Sequence, residues 1–134
     1  MMTAITRLND SLLRHALRGN SAFSGFSGAL FILLAAQIAA LLGVSPAAEI
    51  LIAALGAGLL AYAAFLYWAS RQPQISPQIG LAAVIADALW VVSSLVILAL
   101  DPFSFSTAGR WAVLIVADVV AVFAILQFVG LRRL

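Results

Sequence analysis

The chain has 134 residues, enough for one domain, but 65% of them are hydrophobic and only 9% charged, with a mean hydropathy of +1.16. That is too little charge to clothe an apolar core in a solvated shell, so a water-soluble globular protein is excluded and an integral membrane protein is expected. The net charge of +2 comes from seven arginines with no lysine, and their positions point to the lipid surface and to topology rather than to nucleic acid.

The first 20 residues read as a cytoplasmic amphipathic segment. Ile5, Leu8, Leu12, Leu13, Ala16 and Leu17 follow helical spacing, while Arg7, Arg14 and Arg18 fall on another side. The pattern predicts a short basic helix lying in the headgroup region, with the three arginines on the membrane surface and Gly19-Asn20 ending it. Residues 21–134 then form a single membrane domain. Its first span is expected over 22–42, capped by Ser21, with Ser24, Gly25, Ser27 and Gly28 allowing close helix approach. This apolar run is longer than the 7–15 residues usual in a signal peptide, which argues against cleavage near Ser45-Pro46-Ala47.

A turn over Gly43 to Pro46 leads into a second span, 47–69. Ala54, Ala57, Gly58, Ala61 and Ala64 make a smooth stripe suited to packing on another transmembrane helix. Tyr62, Phe65, Tyr67 and Trp68 gather toward its far end as an interfacial aromatic belt. The polar stretch from Ser70 to Gln78 contains two prolines and reads as a loop separating two helical hairpins. The third and fourth spans are expected over 79–100 and 107–130, joined by a turn around Pro102. The fold class is thus all-α integral membrane: a four-helix transmembrane bundle preceded by an interfacial helix. Six arginines on one side against Arg110 near the other predict both termini in the cytoplasm, in a multi-pass protein of a bacterial inner membrane.

Two aspartates stand out because each lies deep in an apolar run, Asp87 in the third span and Asp118 in the fourth. An acid in hydrocarbon costs several kcal/mol on insertion scales, so it normally faces a bundle interior, a partner or a water-filled path. Counted from the outer turn the two lie at similar depth, so a closed hairpin could bring them together as a pair. On the third helix Asp87 shares a stripe with Ala83, Trp90 and Ser94; on the fourth Asp118 shares one with Trp111, Leu114 and Ala121. Ser93, Ser94 and Gln37 are further hydrogen-bond partners within reach. Asp87, Asp118, Trp90, Ser94, Trp111 and Gln37 are therefore the candidates for a ligand, proton or cation site.

No metal site and no cofactor are expected. There is no cysteine, His15 is the single histidine, and both methionines stand at the N-terminus, so haem, copper and iron–sulfur ligands are lacking in the spans. Nor is there a nucleophile–base constellation, so an enzyme is not expected. The leading functional expectation is a small accessory or structural membrane subunit or homo-oligomer, partnered by the bilayer and by itself or another membrane protein, whose two aspartates support helix association. The alternatives are a proton- or cation-coupled transporter and a binder of lipophilic or cationic small molecules.

Overall fold

In a computed structural model of the chain the backbone is described for residues 2–134 and the side chains from Asp10 onward, so the Arg7 side chain lies outside the described part. The described chain is all-α, with α1 Met2–Leu33, α2 Ala35–Leu42, α3 Glu49–Ser70, α4 Pro77–Leu100 and α5 Thr107–Arg132. Three of these helices are long and apolar enough to cross a membrane, or four if α1 and α2 count as one bent span. Their outward faces carry large apolar side chains such as Phe26, Ile50, Leu89 and Ile125.

Two sequence expectations about the first third of the chain are corrected. The helix does not end at Gly19-Asn20 but runs on to Leu33. The described part of its early apolar stripe turns into protein: Leu13 and Leu17 form a core with Leu66, Ala69, Ile75 and Ala83. A helical apolar stripe is equally suited to lipid and to protein, and here α3, α4 and α5 are close enough to cover it. The second correction concerns the straight first span over 22–42. The chain bends by 92° between Leu33 and Ala35, with Leu34 out of helical geometry at φ −119°. The far end of α2 is held by α5, since Ser106 donates from its backbone N–H to Leu42 O at 2.9 Å and from its hydroxyl to Leu41 O at 2.7 Å. Gly43 closes α2 in the left-handed region at φ 71°, and a Cβ there would also meet Ser106 at 2.9 Å, so both backbone and space require glycine.

The later boundaries match the sequence pattern closely. Ser76 caps α4 by accepting from Ile79 N–H, with Pro77 in the first turn, and Ser106 caps α5 by accepting from Gly109 N–H. Helix α1 packs on α3 and on α5, and α4 packs on α5, whereas α3 and α4 have no extensive mutual packing. Helices α1 and α3 come close together at Gly28 and Gly56, where a Cβ on either would come within 2.7 Å of the other's carbonyl oxygen. That pair is where α1 and α3 approach closely, as expected of Gly28. The stripe Ala54, Ala57, Gly58, Ala61 and Ala64 is exposed instead. Gly56 lies on the opposite side of α3 and takes the contact.

At one end of the molecule the N-terminal part of α1, the 71–76 loop and the C-terminus of α5 meet. Here Arg14 is no surface arginine. Its guanidinium donates to Ser70 O at 2.5 Å, Gln72 O at 2.7 Å and Pro73 O at 3.4 Å, and pairs with the buried Asp10 at 2.9 Å. It therefore supplies partners for carbonyls left open where α3 ends. Arg18 is exposed.

Candidate functional site: a buried carboxylate beside an interhelical cavity

Asp87 is placed inward by α4, whose buried face runs Gly80, Ala83, Asp87 and Ser94. Ala83, Asp87 and Ser94 belong to the stripe read from the sequence, while its fourth member, Trp90, is half-buried. The aspartate is 3% exposed and lies ten residues into the helix, about 15 Å from Pro77 along the axis. Three side chains from three other helices donate to it. Asn20 Nδ2 of α1 reaches Oδ2 at 2.7 Å, Gln127 Nε2 of α5 reaches the same oxygen at 2.7 Å, and the Tyr62 hydroxyl of α3 reaches Oδ1 at 2.9 Å.

The donors are themselves held. Asn20 Nδ2 also donates to Gln127 Oε1 at 3.0 Å, Ser24 Oγ donates to Asn20 Oδ1 at 3.1 Å, and the Tyr62 hydroxyl lies 3.2 Å from the Ala83 carbonyl. Asn20, Ser24 and Gln127 are all buried. Every amide oxygen in the cluster accepts and the carboxylate accepts three times, so the polar groups satisfy one another across four helices. All three donors to Asp87 are neutral. They hydrogen-bond a carboxylate without cancelling its charge.

Against this cluster lies a cavity of about 410 Å³. Asp87, Tyr62, Asn20 and Ser24 form its polar wall; Phe23, Phe31 and Trp90 give it aromatic surface, and Leu59, Val116 and Val120 are among the aliphatic residues that complete it. Its α3 lining residues Leu51, Ala54, Leu55 and Gly58 are exposed, so the cavity is open to the outside along α3. Trp90 Nε1–H is buried and has no hydrogen-bond partner among the described residues. An unpaired buried donor beside an open space is available to an acceptor that enters it.

The other candidates separate. Ser94 is buried next to Trp90 on the same helix but returns its hydroxyl to Trp90 O at 2.8 Å. Asp118 is not a partner of Asp87. The inner face of α5 is Gly109, Ala117, Val120, Gln127 and Gly130, and at about 100° per residue Asp118 is turned about 100° from Ala117 and 200° from Val120, which leaves it exposed on the outer side. Trp111, 61% exposed, shares that outer side and lines no part of the cavity. Gln37 is exposed on α2, beyond the bend.

Three members of the cluster have other places in the sequence pattern: Asn20 falls at an expected helix end, Tyr62 in the aromatic belt and Gln127 in the body of an apolar span. The signal for Asn20 was present: Leu13, Leu17, Asn20 and Ser24 keep a 4-3-4 spacing straight through Gly19, as one continuous buried helical face would. Comparisons of the chain with protein-family models, with curated protein sequences and with solved structures gave no match.

Proposed function

We propose that this chain is a small non-enzymatic protein of a bacterial inner membrane, with four spans and both termini cytoplasmic, that admits a lipophilic organic cation from the bilayer into the cavity beside Asp87. The observation that carries this reading is the mismatch at Asp87: three neutral donors, no cationic side chain among the described residues at hydrogen-bond distance, and an apolar cavity alongside. Either a proton or a cation in the cavity must complete such a group. A volume of about 410 Å³ falls in the range that accepts drug-sized ligands, and the rings of Phe23, Phe31, Tyr62 and Trp90 suit a delocalised or alkylated cation. Trp90 Nε1 favours a ligand that also carries a hydrogen-bond acceptor.

The orientation rests on charge. Arg14, Arg18, Arg71, Arg132 and Arg133 lie toward the end where both termini and the 71–76 loop meet, while Arg110 stands at the other end beside Asp101. The hydrogen-bonded cluster also supports the helix-association role for Asp87, since one carboxylate gathers donors from α1, α3 and α5. The two roles are compatible, because the same bonds that tie the helices hold the carboxylate in place. Proton and cation compete for this one group, which is also what a proton-coupled carrier requires.

Titration of the purified protein in mild detergent with tetraphenylphosphonium, followed by tryptophan fluorescence, is expected to give saturable binding. Asp87→Asn is expected to weaken it by at least about tenfold, the equivalent of ~1.4 kcal/mol. Undiminished binding to that variant would overturn the reading.

A further inference from the structure

A second acid remains unexplained by the cavity. Asp118 lies eleven residues into α5 and fourteen before its end, about 17 Å and 21 Å along the axis, so it sits near the middle of the helix. It is exposed on the outer face and has no hydrogen-bond partner among the described residues. On a helix facing hydrocarbon, that position is costly unless another molecule covers it.

The residues around it define a seam. Trp111, Ile115, Asp118, Val122, Ile125 and Val129 are all exposed and follow one another at intervals of 4, 3, 4, 3 and 4. This is the heptad spacing of a left-handed helix pair, with one polar residue near its centre. A lone polar residue in such a seam sets register and partner number in coiled coils. Two copies in one membrane share the same topology, so their α5 helices can meet only in parallel, about a two-fold axis along the membrane normal. That symmetry sets each seam residue opposite its own copy.

We infer that α5 is the self-association surface of this protein, and that two chains pair along this seam with their Asp118 carboxyls sharing a proton across the two-fold axis. Two carboxyls in that arrangement satisfy each other, and no basic side chain is needed from outside. Lipid tails are as apolar as the isoleucines and valines of the seam, so apolar burial gives little preference for helix over lipid. Packing and the interhelical hydrogen bond decide the association. The inference is independent of cation binding, because the seam shares no residue with the cavity lining.

The absence of cysteine makes the test direct, since a single introduced thiol reports on one position. Full-length Ile115→Cys and Val122→Cys in lipid bilayers are expected to form disulfide-linked dimers on mild oxidation. Leu89→Cys, exposed on α4 and eleven residues from the same end of the bundle, is expected to remain monomeric. Asp118→Leu is expected to weaken dimerisation about fivefold to thirtyfold by energy transfer between labelled chains, and Asp118→Asn to retain it, because an amide pair also donates and accepts across the axis. Equal cross-linking at Ile115→Cys and Leu89→Cys, or a wild-type protein that stays monomeric as lipid is withdrawn, would overturn the inference. Unimpaired pairing of Asp118→Leu would overturn the part assigned to the carboxyl. An obligate partner of another kind would appear as the monomeric result.

Discussion

Replacing Asp87 by alanine should loosen the bundle, and replacing it by asparagine should not. Alanine removes the acceptor of three bonds at 2.7, 2.7 and 2.9 Å. Two of the donors have somewhere else to turn, since Asn20 Nδ2 keeps Gln127 Oε1 and the Tyr62 hydroxyl keeps the Ala83 carbonyl. Gln127 Nε2 has no other acceptor among the described residues and is left buried without one, at about 1–3 kcal/mol. Two further lost bonds at the ~0.6 kcal/mol typical of interhelical bonds in membranes bring the total to about 2–4 kcal/mol. Asparagine fits the same cage. Its amide oxygen can accept from Asn20 and Gln127, and its amide nitrogen can donate to the Tyr62 oxygen while that hydroxyl donates to Ala83. The substitution is therefore expected to cost less than about 1 kcal/mol, and the released desolvation of a charge can offset even that. Reversible unfolding in mixed detergent micelles, followed by circular dichroism, measures both. Equal stability of the alanine and asparagine variants would refute the claim that this cluster joins the helices.

Other expectations follow from the same geometry. Arg14→Met leaves Asp10 buried without its cation and the carbonyls of Ser70 and Gln72 without a donor, and should destabilise the fold by about 3–5 kcal/mol in the same unfolding assay. Gly56→Ala drives a methyl to within 2.7 Å of Gly28 O and 2.8 Å of Phe31 Cβ; the cost should be about 1–3 kcal/mol, whereas Gly58→Ala, where a Cβ meets nothing, should be neutral or stabilising. Because a proton competes with the cation for Asp87, tetraphenylphosphonium binding should weaken on acidification, by at most tenfold per pH unit, and Asp87→Asn should lose that dependence; binding that tightens in acid would contradict the assignment. Trp90→Phe keeps the aromatic wall but removes the unpaired N–H, so it should weaken acceptor-bearing ligands without affecting tetraphenylphosphonium, which has no acceptor to lose.

What was legible in the sequence was whatever depended on local pattern. The helices after Gly43 and the inward direction of Asp87 on α4 follow from spacing, whereas Ser21, expected as a helix cap, lies inside α1 and donates to Ala63 O. Three features were not legible for a common reason. In a membrane protein apolar residues occupy both the lipid face and the interior, so hydrophobicity does not tell which side of a helix faces in. Spacing therefore turns Asp118 toward Asp87 although it faces outward, and it gives Ala57 and Ala61 a contact that Gly56 makes. It also gives the apolar stripe of α1 to lipid, although Leu13 and Leu17 are buried in protein. Polar residues carried the better signal, because each needs a partner. Asp87 and Gln127 are acid and amide side chains within long apolar stretches, and the helices bring them together with Asn20. The bend at Leu34 had no local mark, since neither proline nor glycine stands there; the anchorage of α2 on Ser106 accompanies it.

The most direct test of cation binding at Asp87 is equilibrium dialysis of labelled tetraphenylphosphonium against the detergent-solubilised protein at neutral pH, with wild type, Asp87→Asn and Asp118→Asn compared side by side. Saturable binding by wild type and Asp118→Asn, with loss in the folded Asp87→Asn variant, is the expected result. Binding that survives Asp87→Asn, or that disappears with Asp118→Asn alone, would contradict it.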